Sequence, residues 1–261
     1  MPQEPYILKS ENDAHRLEYL AGIYDQYTKQ ILRATAVCPG WNCLEAGAGT
    51  GTIAHWLART VAPAGSTTAT DINPMLSDDT GYTVIRHNLE VDPLPESRYD
   101  LVHCRAVLEH LHDPRTALSS LTHAAKPHGW LVVAVHDLSA PAIRCTVRRS
   151  DPAAAAVLES FLQASSRAMQ SAGASPAYGG ILLSEFIANG FPDVTVESRT
   201  FRFPGGTQSL YAQSLKQLED RLTADQLVTR KETQRAYEMF IDETRQFSTP
   251  VLVTARARRE S

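Results

Sequence analysis

Glu45, Gly47, Gly49 and Gly51 occupy alternate positions in Cys43-Leu44-Glu45-Ala46-Gly47-Ala48-Gly49-Thr50-Gly51, and a second acid, Asp71, closes the next strand-like run. Glycine admits positive φ and lets a ligand approach the backbone. The apolar run at 41–44 reads as a buried strand. Behind the turn, Ile53, Trp56, Leu57 and Val61 recur at helical spacing. A helix N-terminus with free N–H groups therefore faces whatever lies over the turn. A dinucleotide fingerprint would carry its third glycine one position beyond Gly51. A phosphate loop would carry a lysine. A carboxylate at the strand tip repels pyrophosphate and suits a cationic group. An acid at the end of the following strand suits ribose hydroxyls. The residues thus describe a ligand with a ribose and an ammonium group and no phosphate.

S-adenosylmethionine is such a ligand, and here the chain resembles the class I S-adenosylmethionine-dependent methyltransferases. The resemblance covers residues 1–137 well and the remainder loosely. It implies that Glu45 lies beside the methionine ammonium, that the three glycines give backbone access, and that Asp71, followed by Ile72, takes the ribose hydroxyls. Asn88 stands where the family carries an aspartate that accepts from the adenine amine, and an amide oxygen can still accept. Leu89 would pack on the adenine face. Tyr6, in a Tyr-Ile-Leu segment, would lie near the cofactor. Simpler roles stay open: Glu45 as a carboxylate at a helix N-terminus, Asp71 as a cap for the turn at Pro74. The segment 103–113, His-Cys-Arg-Ala-Val-Leu-Glu-His-Leu-His-Asp, resembles the quinone-biosynthesis-like methyltransferases. By that resemblance Arg105 lies near the methionine end. His110 is a candidate base, with a packed or solvated histidine as the alternative. His136 and Asp137 end the fifth strand, where ligand crevices open; His136 is the second catalytic candidate.

The elements that must position these residues alternate. After a helix at 10–37, strands are expected at 41–44, 66–71, 82–87, 99–104 and 130–135, joined in turn by a helix at about 50–60, a very short turn or helix from Asn73-Pro74, a loop punctuated by Pro93 and Pro95, and a short helical piece and helix after strand four. Asp113-Pro114 caps a helix as N-cap and first position. Beyond Asp137 come helices at 151–172 and 180–189, a strand at 194–203, helices at 207–222 and from a Thr223/Gln226 capping pair to about 246, and a strand at 251–257. The expected fold is α/β: one domain, residues 1–261, with a doubly wound, seven-stranded, mostly parallel Rossmann-like sheet. The resemblance adds an antiparallel last strand and helical cap insertions at about 139–178 and 205–246. Tyr24 and Tyr27 read as core residues on the first helix.

Composition narrows the partners. The chain has 261 residues, a hydrophobic fraction of 43% and a net charge of −4. No dense basic run is present, which argues against nucleic acid. No apolar run is long enough for a bilayer, and residues 1–5 lack signal-peptide regions. The four cysteines and nine histidines show no metal-ligand spacing. The expectation is a reduced cytoplasmic enzyme, with a homodimer left open, that uses S-adenosylmethionine and no metal. It would methylate an O, N or C atom of a small-molecule acceptor in secondary metabolism. The alternatives are a rearrangement or cyclisation on the same fold, or a non-catalytic partner protein.

Overall fold

The structure, a computed structural model, describes residues 13–74 and 81–260. Tyr6 lies outside the described residues. The chain opens with α1 (Asp13–Arg33). The nucleotide-type unit follows: β1 (Asn42–Ala46), α2 (Thr52–Val61) and β2 (Ser66–Asp71). β3 (Thr83–Arg86), β4 (Tyr99–Arg105), a 3-10 turn at Leu108–His110, α3 (Pro114–Ala124) and β5 (Ala125–Asp137) complete the alternating part. Asp113 caps α3 by accepting from the Thr116 N–H at 3.0 Å, with Pro114 in the first turn.

The main sheet runs β3-β2-β1-β4-β5-β9-β6, where β6 is Val194–Arg199 and β9 is Val251–Arg258. β9 is antiparallel to both β5 and β6, and the other pairings are parallel. The antiparallel strand therefore lies inside the sheet and β6 forms its edge. β1 is fully buried from Cys43 to Ala46, as a strand flanked by neighbours and covered on both faces must be. α2 turns Ile53, Leu57 and Val61 inward, and they join Leu32, Cys43 and Leu101 on one side of the sheet. Leu44, Val102, Leu118, Val133 and Phe186 fill the other side.

Between β5 and β9 the chain adds α4 (Ala140–Arg149), α5 (Ala155–Ser171), a 3-10 turn (Tyr178–Ile181), α6 (Leu182–Ala188), β6, β7 (Arg202–Pro204), α7 (Leu210–Ala224), α8 (Arg230–Phe240) and β8 (Gln246–Ser248). α4, α5, α7 and α8 share a second apolar cluster built on Phe161, Phe203, Tyr211, Phe240 and Phe247. Their rings pack edge-to-face or tilted at 5.3–6.1 Å. Tyr19, Leu20 and Ile23 of α1 pack on this cluster, while Tyr24 and Tyr27 face the sheet. α1 thus spans the two cores.

Three expectations change. The strand at 194–203 breaks after Arg199, and its end leaves the main sheet to pair with β8. The helix expected at 151–172 is found as α5, starting at Ala155 rather than at its Asp151-Pro152 cap, and a separate helix not expected from the sequence, α4, precedes it, with Ser150 extended between the two. The last cap is also displaced. Thr229 and Glu232, rather than Thr223 and Gln226, form the capping box of α8, while Thr223 still lies within α7, its hydroxyl donating to the Glu219 carbonyl.

Candidate active site

The glycine turn has the backbone that its spacing demands. Gly47, Gly49 and Gly51 sit at φ 72°, 53° and 74°, in the left-handed region. A Cβ on Gly47 would come within 2.1 Å of Val107 Cγ2, so this position excludes a side chain twice over. Gly51 is the N-cap of α2 and has no side chain to cover the first N–H groups of that helix. The Gly49 N–H donates to Asp71 Oδ2 at 2.9 Å, and the Asn73 N–H donates to Asp71 Oδ1 at 2.9 Å. Asp71 does cap the turn ahead of Pro74, and it also pins the glycine turn to the end of β2. A carboxylate has about four lone-pair sites, so capacity remains for further donors. Ile72, beside it, is exposed.

Glu45 is 3% exposed, and its Oε2 lies 2.5 Å from Nδ1 of His103, itself 1% exposed. The two residues are register partners on β1 and β4. The carboxylate at the strand tip is thus held by the adjacent strand. At β3, the Asn88 side-chain oxygen accepts from the Glu90 N–H at 3.0 Å, and the Asn88 N–H donates to Asp92 Oδ2 at 2.7 Å. Asn88 is therefore locked into its own turn. Leu89 is buried in the main core.

Arg105, at the end of β4, turns towards α1. Its Nη1 donates to Thr28 Oγ1 at 2.7 Å and its Nη2 to Asp25 Oδ1 at 3.0 Å. Its guanidinium also lies 5.9 Å from the Tyr24 ring centroid. His110 sits in the 3-10 turn, with its backbone N–H donating to the Val107 carbonyl. Its neighbour Glu109 is fully buried and reaches His136: the backbone N–H and the Nδ1 of His136 both lie 2.9 Å from Glu109 Oε1. Nε2 of His136 lies 3.0 Å from the Tyr24 hydroxyl. A carboxylate accepts only, so Nδ1 carries the proton towards Glu109.

Burial pushes the Glu109 carboxyl up, yet the hydrogen bonds from His136 and the electrostatic influence of the neighbouring His110 and His136 rings outweigh it and hold it below the usual range. Burial drives the Tyr24 phenol upward, so it stays protonated and donates to Nε2. The product is a carboxylate–imidazole–phenol chain joining the turn after β4, the end of β5 and α1. Asp137, next along, is buried and accepts from the Ser139 N–H at 2.8 Å.

The structure therefore places Glu45, Gly47, Gly49, Gly51, Asp71, Ile72, Asn88 and Leu89 at the carboxyl ends of β1 to β3. Arg105, His110 and His136 stand at the ends of β4 and β5. Sequence reasoning missed His103, Glu109, Asp25 and Thr28 as partners. Glu109 carried a signal, a carboxylate next to a candidate histidine; the others carried none. Among the described residues no three His, Cys, Asp or Glu side chains are grouped to hold a metal ion, and no helix is long and apolar enough to cross a membrane.

An open α/β sheet of this order, with an acid–glycine turn on β1 and an acid on β2, defines the S-adenosylmethionine-dependent methyltransferase class. Residues 14–218 match the methyltransferase domain family, and the chain belongs to that family. The mitochondrial ubiquinone biosynthesis O-methyltransferase of Schizosaccharomyces pombe is 29% identical over 41% of this chain and 42% of that protein. The chain spans about half the length of the curated relatives it matches. Among solved structures, a phosphoethanolamine N-methyltransferase 2 of Haemonchus contortus in complex with S-adenosyl-L-methionine has a TM-score of 0.56 at 14% identity, over 91% of this chain and 53% of that one. The [4+2]-cyclase SpnF has a TM-score of 0.51 at 16% identity, over 90% and 80%. At these identities the structural likeness concerns the fold, and the reaction has to be argued from the site.

Proposed function

We propose that this protein transfers a methyl group from S-adenosylmethionine to a small-molecule acceptor. One observation carries the reading: the glycine turn of β1 and the acid of β2 are joined into one rim by the Gly49–Asp71 hydrogen bond of 2.9 Å. The donor set suits the cofactor. Asp71 has lone pairs left for ribose hydroxyls, and Glu45 supplies a buried carboxylate for an ammonium.

The bound cofactor supplies a methyl group already activated on a sulfonium. The chain then has to align the acceptor and exclude water. The ends of β4 and β5 form the acceptor side, and α4, α5, α7 and α8 serve as a cap over it within one domain. His136, polarised by Glu109, is the group to receive a proton from a hydroxyl acceptor. To do so its Nε2 exchanges the Tyr24 hydroxyl for the acceptor. His110 lines the same side. The apolar cap and the absence of a basic face favour a small organic acceptor.

Calorimetry with S-adenosylmethionine, S-adenosylhomocysteine and NAD tests the cofactor. Binding of NAD alone overturns the reading. Mass analysis of candidate reactions then looks for a product heavier by one methyl group. A product of unchanged mass moves the assignment to rearrangement or cyclisation.

A further inference from the structure

Glu45 and His103 form an ionisable pair within an apolar layer. Strand residues alternate faces, so Glu45 shares its face with Cys43 and His103 shares its face with Leu101. Cys43 and Leu101 belong to the layer under α1 and α2, with Leu32, Ile53, Leu57 and Val132. Apolar residues of suitable volume often replace a buried ion pair at no loss of stability. Stability alone therefore does not account for the pair. A buried carboxylate is costly without hydrogen bonds, and the Glu45 side chain has no partner but His103 among the described residues. Arg105, two residues further along the same face, is committed to Thr28 and Asp25. The His103 Nδ1 donates to Glu45 Oε2, because a carboxylate only accepts. The His103 side chain is 1% exposed and that of Glu45 is 5% exposed, so the access that the pair retains lies on the glutamate.

We propose that His103 is a positioning residue for cofactor binding: through Oε2 it holds the Glu45 carboxylate in the orientation that receives the ammonium at the amino-acid end of the cofactor. A glutamate has several side-chain torsions to order when it binds a ligand. His103 is itself held in the sheet, in register with Glu45 on β1 and Val132 on β5. Its bond to Oε2 fixes those torsions beforehand, so the ordering cost falls on folding and not on binding. The lone pairs of Oε1 remain for the ammonium. The inference rests on the S-adenosylmethionine reading above and adds to it a residue that acts through Glu45.

The test compares S-adenosylhomocysteine with methylthioadenosine. Both carry the adenosine and the thioether, and only the first carries the amino-acid end. Calorimetry follows both ligands in the wild-type protein, His103→Leu, His103→Asn and Glu45→Gln, with melting temperatures alongside. His103→Leu removes the donor. Its affinity for S-adenosylhomocysteine is expected to fall about three- to ten-fold, with methylthioadenosine binding unchanged. His103→Asn keeps an N–H donor near the place of Nδ1 and is expected to recover most of the loss. A purely structural role would lower the melting temperature and treat the two ligands alike. In the wild-type protein, the far-downfield proton of the Nδ1 bond is expected to move with S-adenosylhomocysteine and not with methylthioadenosine. This measurement decides the matter if His103→Leu does not fold. Equal effects on the two ligands in His103→Leu, or a proton resonance that responds to both or to neither, overturn the inference. If Glu45→Gln weakens S-adenosylhomocysteine and His103→Leu does not, the ammonium stays with Glu45 and only the role of His103 falls. A wild-type protein that does not bind S-adenosylhomocysteine overturns both readings.

Discussion

Glu109 holds His136 by two bonds at once: its Oε1 accepts from the backbone N–H and from Nδ1, each at 2.9 Å. A fully buried carboxylate is tolerated because these bonds compensate for its lost hydration. The same contact sets the imidazole tautomer and aims Nε2 at α1, where the Tyr24 hydroxyl lies at 3.0 Å.

The first prediction concerns pH. The folded protein holds Glu109 below the usual carboxylate range, and a depressed folded-state pKa stabilises above the unfolded value. That stability is therefore fully present at neutral pH. It is lost as pH falls from the ordinary glutamate range through the lower folded-state value. In Glu109→Gln this acid-side loss should flatten, and stability at neutral pH should fall by about 1–3 kcal/mol. Urea unfolding of both proteins as a function of pH measures it. An unchanged acid limb in the variant would show that Glu109 is not the titrating group.

Tyr24→Phe isolates the other end of the chain. The phenol is 1% exposed and packs edge-on to Phe201 at 5.2 Å, so the ring stays and only a hydroxyl leaves. A stability loss of about 0.5–1.5 kcal/mol is expected. If His136 receives the acceptor's proton, the variant should keep turnover or raise it, because Nε2 no longer has to exchange partners. A collapse of kcat with normal stability would instead make Tyr24 a participant.

Gly47→Ala should be the most damaging small change in the turn. An alanine at φ 72° costs about 1–2 kcal/mol, and its Cβ would meet Val107 Cγ2 at 2.1 Å. A total loss of about 2–4 kcal/mol is expected, together with lost cofactor binding. Adding Val107→Ala should restore only the steric part. Full rescue in the double variant would show that backbone strain contributes nothing.

Asp71 separates capping from ligand binding. Asp71→Ala removes the acceptor of the Gly49 and Asn73 N–H groups, so some loss of melting temperature is expected whatever its other role. If it also accepts ribose hydroxyls, affinity for S-adenosylhomocysteine should fall roughly thirty- to a thousand-fold. A lower melting temperature with unchanged affinity would leave Asp71 a turn residue.

How far the site could be read in advance followed sequence separation. Asp113 and Pro114 announce α3 because a cap and its helix are contiguous. Thr229 and Glu232 carry the same kind of signal, but the Thr223/Gln226 pair offers a near copy. Only the continuation of α7 through Ala224 decides between them. The strand at 194–203 has one alternating pattern, yet its halves join different sheets, because alternation reports a face and not a partner.

By itself the sequence determined the strand–turn–helix unit that carries Glu45, Gly47, Gly49 and Gly51, with Asp71 behind it. Those features depend on the backbone freedom of single residues and on short-range periodicity, which neighbours along the chain encode. Only the tertiary structure decided that Glu45 meets His103 across 58 positions and that Tyr24 meets His136 across 112. Strand order and helix docking bring those pairs together, and both arise from burying apolar faces that any hydrophobic side chain of suitable size can fill. The polar partners inherit their proximity from that packing, and so leave no spacing of their own in the chain.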